Sequence, residues 1–160
     1  VRLAKTKPDI DAARRKLEAA DVIFISGGEV EDGMSWLQKH GLADYLNELR
    51  GSGRLFIGLS AGSIMMGAHW VHWDDPKDDS TAALFDCLGF AATTFDTHAE
   101  DEDWKELKTA LLLQGPGAKG FGIPRDGMAV VDSEGNIEAA GKPLLLFENI
   151  GGEVKRTDNG

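Results

Sequence analysis

Ser60 stands in Gly58-Leu59-Ser60-Ala61-Gly62, a G-x-S-x-G pattern preceded by an apolar run and followed by small, helix-compatible residues. In that context the serine sits on a sharp strand-to-helix turn, its hydroxyl raised at the C-terminal edge of a sheet and the Ala61 N–H directed at a developing oxyanion. Gly27-Gly28 closes another apolar run, and glycines there let backbone amides approach a ligand closely enough to supply a second oxyanion donor. The pattern taken alone does not separate a nucleophile from a helix-capping serine. A nucleophilic serine needs a base, which directs attention to the four histidines.

His40 precedes Gly41 at the end of a helical pattern, where a cation favours the helix dipole, so it needs no chemical role. His69 and His72 lie three apart near Asp74 and Asp75, but two imidazoles without a clear third ligand make a weak metal signal. His98 follows the strand-like Ala91-Ala92-Thr93-Thr94-Phe95-Asp96-Thr97, which places it at a strand end beside a loop. It is the best candidate base.

The elements that must hold these groups alternate. Asp9 to Ala20 is amphipathic at helical spacing, with Ile10, Ala13, Leu17 and Ala20 on one face. Val22-Ile23-Phe24-Ile25 and Leu55-Phe56-Ile57-Gly58-Leu59 are short apolar runs of the kind expected for strands buried on both faces. A helix is predicted between them, from about Ser35 to Arg50, and another from Ala61 to Val71. The acidic Asp74-Asp75-Pro76-Lys77-Asp78-Asp79 stretch is a loop, and Trp104 to Leu113 is a further amphipathic helix ended by Gly115-Pro116-Gly117. Met128-Ala129-Val130-Val131 and Leu144-Leu145-Leu146-Phe147 are late strands, expected to pair antiparallel around Asp132 to Asn136; the glycine-rich tail from Gly151 is expected to be a loose end. Helix, strand, helix, strand indicates an α/β fold with a parallel sheet.

Four segments taken together resemble the dipeptidase E and cyanophycinase family: Ile25-Ser26-Gly27-Gly28, Gly58-Leu59-Ser60-Ala61-Gly62-Ser63, Leu88-Gly89-Phe90 leading to Asp96-Thr97-His98, and Gly122-Ile123-Pro124-Arg125-Asp126. Their order and rough spacing extend the resemblance from Asp21 to about Val131. It implies a three-layer sandwich with a mostly parallel central sheet, similar to class I glutamine amidotransferases but with serine in place of cysteine. It also implies a serine peptidase with Ser60 as nucleophile, His98 as general base, and Gly28 and Ala61 as oxyanion donors within a substrate-binding turn, Gly27-Gly28-Glu29.

Glu29 departs from the family's usual asparagine or aspartate after the paired glycines. Asp126 is the nearest match to the third catalytic residue, with Asp96 and Glu100 as local rivals for orienting His98. The family normally begins with a strand and helix ahead of Asp21, whereas Val1 to Ala20 is all that this chain has there.

Composition narrows the rest. At 160 residues, 42% hydrophobic and 28% charged, the chain is expected to form one globular domain over residues 1–160. The net charge of -10 repels phosphate backbones and anionic membranes, so neither nucleic acid nor a membrane is an expected partner. A small peptide is the expected substrate, a homodimer is left open, and the default location is cytoplasmic. The acyl-transfer chemistry calls for no metal or organic cofactor. Cys87, the single cysteine, reads as a small buried apolar residue. Two rival readings are an α/β-hydrolase esterase, which would need its acid before its histidine and usually a longer chain, and a catalytically silent domain that binds a small molecule or protein.

Overall fold

The computed structural model describes residues 8–157. Helix α1 (Ile10–Glu18) starts where the Asp9 carboxylate accepts the Ala12 N–H at 2.9 Å, a side-chain N-cap. Strand β1 (Val22–Ile25) follows, then helices α2 (Val30–Lys39) and α3 (Leu42–Gly51), strand β2 (Leu55–Gly58) and the short helix α4 (Ala61–Met65). Strands β3 (His69–Trp73) and β4 (Ala82–Asp86) form an antiparallel hairpin around the acidic loop. Next come β5 (Thr94–Thr97), α5 (Lys105–Gln114), β6 (Lys119–Ile123), β7 (Gly127–Val131), β8 (Ile137–Gly141), β9 (Leu145–Ile150) and β10 (Glu153–Thr157).

The helix expected over Ser35 to Arg50 is two helices. The chain breaks at Gly41, whose φ of 60° lies in the left-handed region where a side chain would be strained. Its carbonyl accepts the Arg14 guanidinium at 3.1 Å, which ties the break to α1. The helix expected over Ala61 to Val71 stops at Met65, because Trp70, Val71 and Trp73 belong to β3. β-branched and aromatic side chains favour the pleated, half-buried surface they occupy there.

Among the described residues the strands form four small sheets, not one mostly parallel sheet: β1-β2, a mixed β10-β9-β6-β5, β3-β4 and β7-β8. Among the described strands, β1 with β2 and β5 with β6 pair in parallel and the other pairs are antiparallel. Neither β1 nor β2 is buried on both faces as expected. Ile23 faces the core, but Val22, Phe24, Leu55 and Ile57 are exposed, because among the described residues helices pack on only one side of this pair. The Asp132 to Asn136 turn joins β7 to β8, whereas β9 pairs with β6 and β10. The expected loose end beyond Gly151 is thus partly strand β10.

The main core lies under α1 to α4 and contains Ile23, Met34, Leu42, Leu46, Ile64 and Trp70. A second cluster, Trp104, Leu107, Leu111 and Phe147, fixes α5 on β9. Each fully buried leucine in these layers contributes about 1.5–3 kcal/mol from transfer out of water. No described helix is long and apolar enough to cross a membrane.

Candidate active site

Ser60 occupies the turn between β2 and α4 with φ 53° and ψ -123°. A non-glycine residue at positive φ is strained, and such strain persists only where the surroundings impose it. Here the two flanking glycines let the backbone close around the serine. A Cβ on Gly58 would lie 2.6 Å from the Ser63 nitrogen, and one on Gly62 would overlap the Ile25 carbonyl. The Gly62 N–H donates to Leu59 O at 3.0 Å and the Ser63 N–H to Ser60 O at 2.7 Å, which completes the elbow. The spacing of glycines in the sequence is therefore a requirement of backbone proximity.

His98 leaves the end of β5 with φ 48°, and its N–H donates to Ile123 O at 2.9 Å. From there its Nε2 lies 2.8 Å from Ser60 Oγ, within hydrogen-bond range. Residues 38 apart in sequence meet because each ends a parallel strand. Open α/β sheets present ligand-binding groups at that carboxyl edge.

The Gly27-Gly28-Glu29 turn lies against the serine. A Cβ on Gly27 would stand 3.3 Å from Ser60 Cβ and 3.8 Å from Ser60 Oγ, so only glycine leaves that approach unobstructed. Gly28 has φ 148°, with nothing within 4 Å of a Cβ position. Ala61 opens α4, so its N–H has no acceptor four residues back within the helix. Glu29 caps α2 by its backbone without a side-chain hydrogen bond and is exposed.

The candidate third residues do not converge on His98. Asp126 sits in the turn between β6 and β7, its φ 65° and its side chain exposed, and Lys142 Nζ lies 3.3 Å from Oδ2. It forms no hydrogen bond with His98 and lies in an exposed turn. Glu100 Oε1 accepts the Arg125 N–H at 2.7 Å, which holds its carboxyl below the usual carboxylate range. That bond fastens the turn after His98 to the loop after β6. Asp96 is fully buried, and its Oδ1 accepts the Thr97 N–H at 2.7 Å.

Sequence reasoning missed Glu106. Burial pushes its carboxyl up, assisted by the charges of Glu102 and of Glu29 in the glycine turn. Glu102 and Glu106, four residues apart, thus act with Glu29 of the distant glycine turn, a pairing that nothing in their spacing announces.

The remaining candidates have structural explanations. His40 ends α2 and stacks on Trp36 at 5.2 Å. His69 and His72 are three apart on a strand and so face opposite sides; one bonds Asp86 at 3.0 Å, the other packs against Phe85. Among the described residues no cluster of three His, Cys, Asp or Glu side chains could hold a metal ion. Burial pushes the Cys87 thiol up to about 12, which leaves it un-ionised and inert.

Comparison with known proteins adds to this geometry. The profile of peptidase family S51 matches residues 1–139. Among solved structures, the chain is similar to a candidate peptidase E protein from Listeria monocytogenes EGD-e, with 18% identity and a TM-score of 0.65. That match covers 86% of this chain and 67% of the other. No curated protein matches.

Proposed function

Because the chain belongs to peptidase family S51 and is a serine-type peptidase, we propose that Ser60 and His98 form its catalytic dyad and cleave an amide bond in a small peptide. The carrying observation is the 2.8 Å approach of Ser60 Oγ to His98 Nε2 at a strained elbow.

Neutral His98 accepts the hydroxyl proton as Ser60 attacks the peptide carbonyl. The N–H groups of Gly28 and Ala61 face the resulting oxyanion. The tetrahedral intermediate collapses as the imidazolium returns its proton to the departing amine, leaving an acyl-Ser60 ester. Water, deprotonated by the same imidazole, then releases the acid. His98 is held through its backbone bond to Ile123 and through the Glu100–Arg125 staple, not by a carboxylate on its ring. Asp126 is outside this machinery. The exposure of His98 suits a short substrate arriving from solvent.

A fluorophosphonate probe tests the assignment. Intact-mass analysis should show one adduct on the wild type, none on Ser60→Ala, and labelling slowed on the order of 10³-fold or more in His98→Ala. Equal labelling of wild type and Ser60→Ala would remove Ser60 from the chemistry and favour a silent binding domain.

A further inference from the structure

We propose that Asp96 is a positioning residue for His98, acting as a neutral acid that fixes the backbone from which the imidazole reaches Ser60. This rests on the reading of His98 as the base.

Asp96 lies two residues before His98 in β5 and is 2% exposed. Its Oδ1 accepts the Thr97 N–H at 2.7 Å, while the next N–H along the chain, that of His98, donates to Ile123 O at 2.9 Å. Two successive amides are thereby held just where the chain leaves the strand and turns to φ 48°. An imidazole at such a turn inherits its aim from those two bonds.

The surroundings of Asp96 select the neutral form. Its Oδ2 is buried without a hydrogen-bond partner. An ionised oxygen in that state would carry a large desolvation cost, offset only in part by the nearby Leu107 N–H. The ionisable groups facing it are acidic: Glu102 from the turn before α5 and Glu106 from α5 itself. On the other sides β6 presents Gly122 in register, and α4 consists of Ala61, Gly62, Ser63, Ile64 and Met65, none of them charged. Burial therefore pushes the carboxyl up to about 7, with Glu106 and Glu102 acting the same way and the N–H groups of Thr97 and Leu107 opposing them. Near neutral pH the acid is poised to lose its proton to solvent.

Asparagine keeps the Oδ1 acceptor, the volume and the neutrality; alanine keeps none but the last. At pH about 6, fluorophosphonate labelling of Asp96→Asn should stay within about 3-fold of wild type, whereas Asp96→Ala should label about 10-fold or more slowly with unchanged probe saturation. Above pH about 7 the wild-type rate should fall about 3-fold or more below that of Asp96→Asn, because only the wild type can ionise there.

A loss of 10²-fold or more in folded Asp96→Asn would overturn the proposal, since it would mean that an ionised carboxylate is required. Equal rates for wild type and both variants at every pH would also overturn it. If the alanine variant does not fold, carbon-13 NMR of the wild-type Asp96 carboxyl decides independently of activity: a midpoint near 7 supports the neutral acid, and one near 3.8 sinks it. Labelling that survives Ser60→Ala condemns the catalytic reading first, and the positioning role falls with it; intact labelling chemistry with a low Asp96 midpoint condemns only the latter.

Discussion

β2 and β5 each deliver one half of the candidate active site, and they do so from opposite surroundings. β2 reads Leu55-Phe56-Ile57-Gly58, wholly apolar, yet no residue in it is fully buried. β5 reads Thr94-Phe95-Asp96-Thr97, three polar residues in four, and all are buried. Hydropathy alone would reverse that ranking. What decides burial is cover: β5 lies beside β6 with α4 and α5 packed on it, whereas β2 has α4 on one side and an open face on the other among the described residues. Thr94 Oγ1 and Asp96 Oδ1 are tolerated there because they find partners, Gln114 Nε2 donating to the first at 2.9 Å and the Thr97 N–H to the second, while Asp96 Oδ2 is left without one. Exposed apolar residues on β2 need no such compensation.

Four measurements test this contrast. The largest effect is expected at Gly62, where the β2 elbow meets the β1 backbone with no room for a side chain. Gly62→Val should cost on the order of 5 kcal/mol and leave little folded protein by circular dichroism. A stable, fully labelled variant would show that the elbow can open.

Next comes the buried strand. Phe95 is 4% exposed and stacks with Phe121, so Phe95→Ala should lower the urea-unfolding free energy by about 3–5 kcal/mol.

Asp96 then adds a dependence on pH that β2, which has no ionisable side chain, cannot show. Its folded value of about 7 lies above the ordinary 3.8, so the stabilisation from its neutral form is complete below pH 3.8 and is lost as pH rises through about 7. Relative to Asp96→Asn, the wild type should lose on the order of 4 kcal/mol across that window, measured by urea titrations at several pH values. A flat difference would show an ordinary, solvated carboxyl.

The smallest effect belongs to the exposed face. Phe24 is 58% exposed, and Phe24→Ala should cost less than about 1 kcal/mol. A loss equal to that of Phe95→Ala would show that this face is covered in solution.

The approach of Ser60 to His98 was legible in the sequence because its constraints are local. An elbow needs glycines at fixed spacing around the serine, and a base at the end of a strand needs a strand before it. The mixed α/β class was legible for the same reason, from alternating apolar and amphipathic segments. Three things were not. Gly41 sits inside a pattern that is apolar at helical spacing on both sides, so only its φ reveals two helices. Trp70-Val71-His72-Trp73 continues from a helix start, and its strand identity comes from pairing with β4. Asp126 matched by position, and its carboxylate meets Lys142, a pairing between residues 16 apart that local pattern does not encode.

The open face of the β1-β2 pair has a colloidal consequence. Phe24, Leu55, Ile57 and the adjoining Leu59 offer an adhesive patch to any apolar surface, including that of another molecule. The mutual repulsion of a net charge of -10 opposes such contact at neutral pH, and that repulsion vanishes as the pH approaches 4.8. Added salt shortens its range to about 3 Å at 1 M. Turbidity should therefore rise on acidification towards pH 4.8 while the circular dichroism remains native, and the precipitate should redissolve on return to pH about 8. Replacing Phe24 and Leu59 by serine should narrow that turbid range without altering the charge.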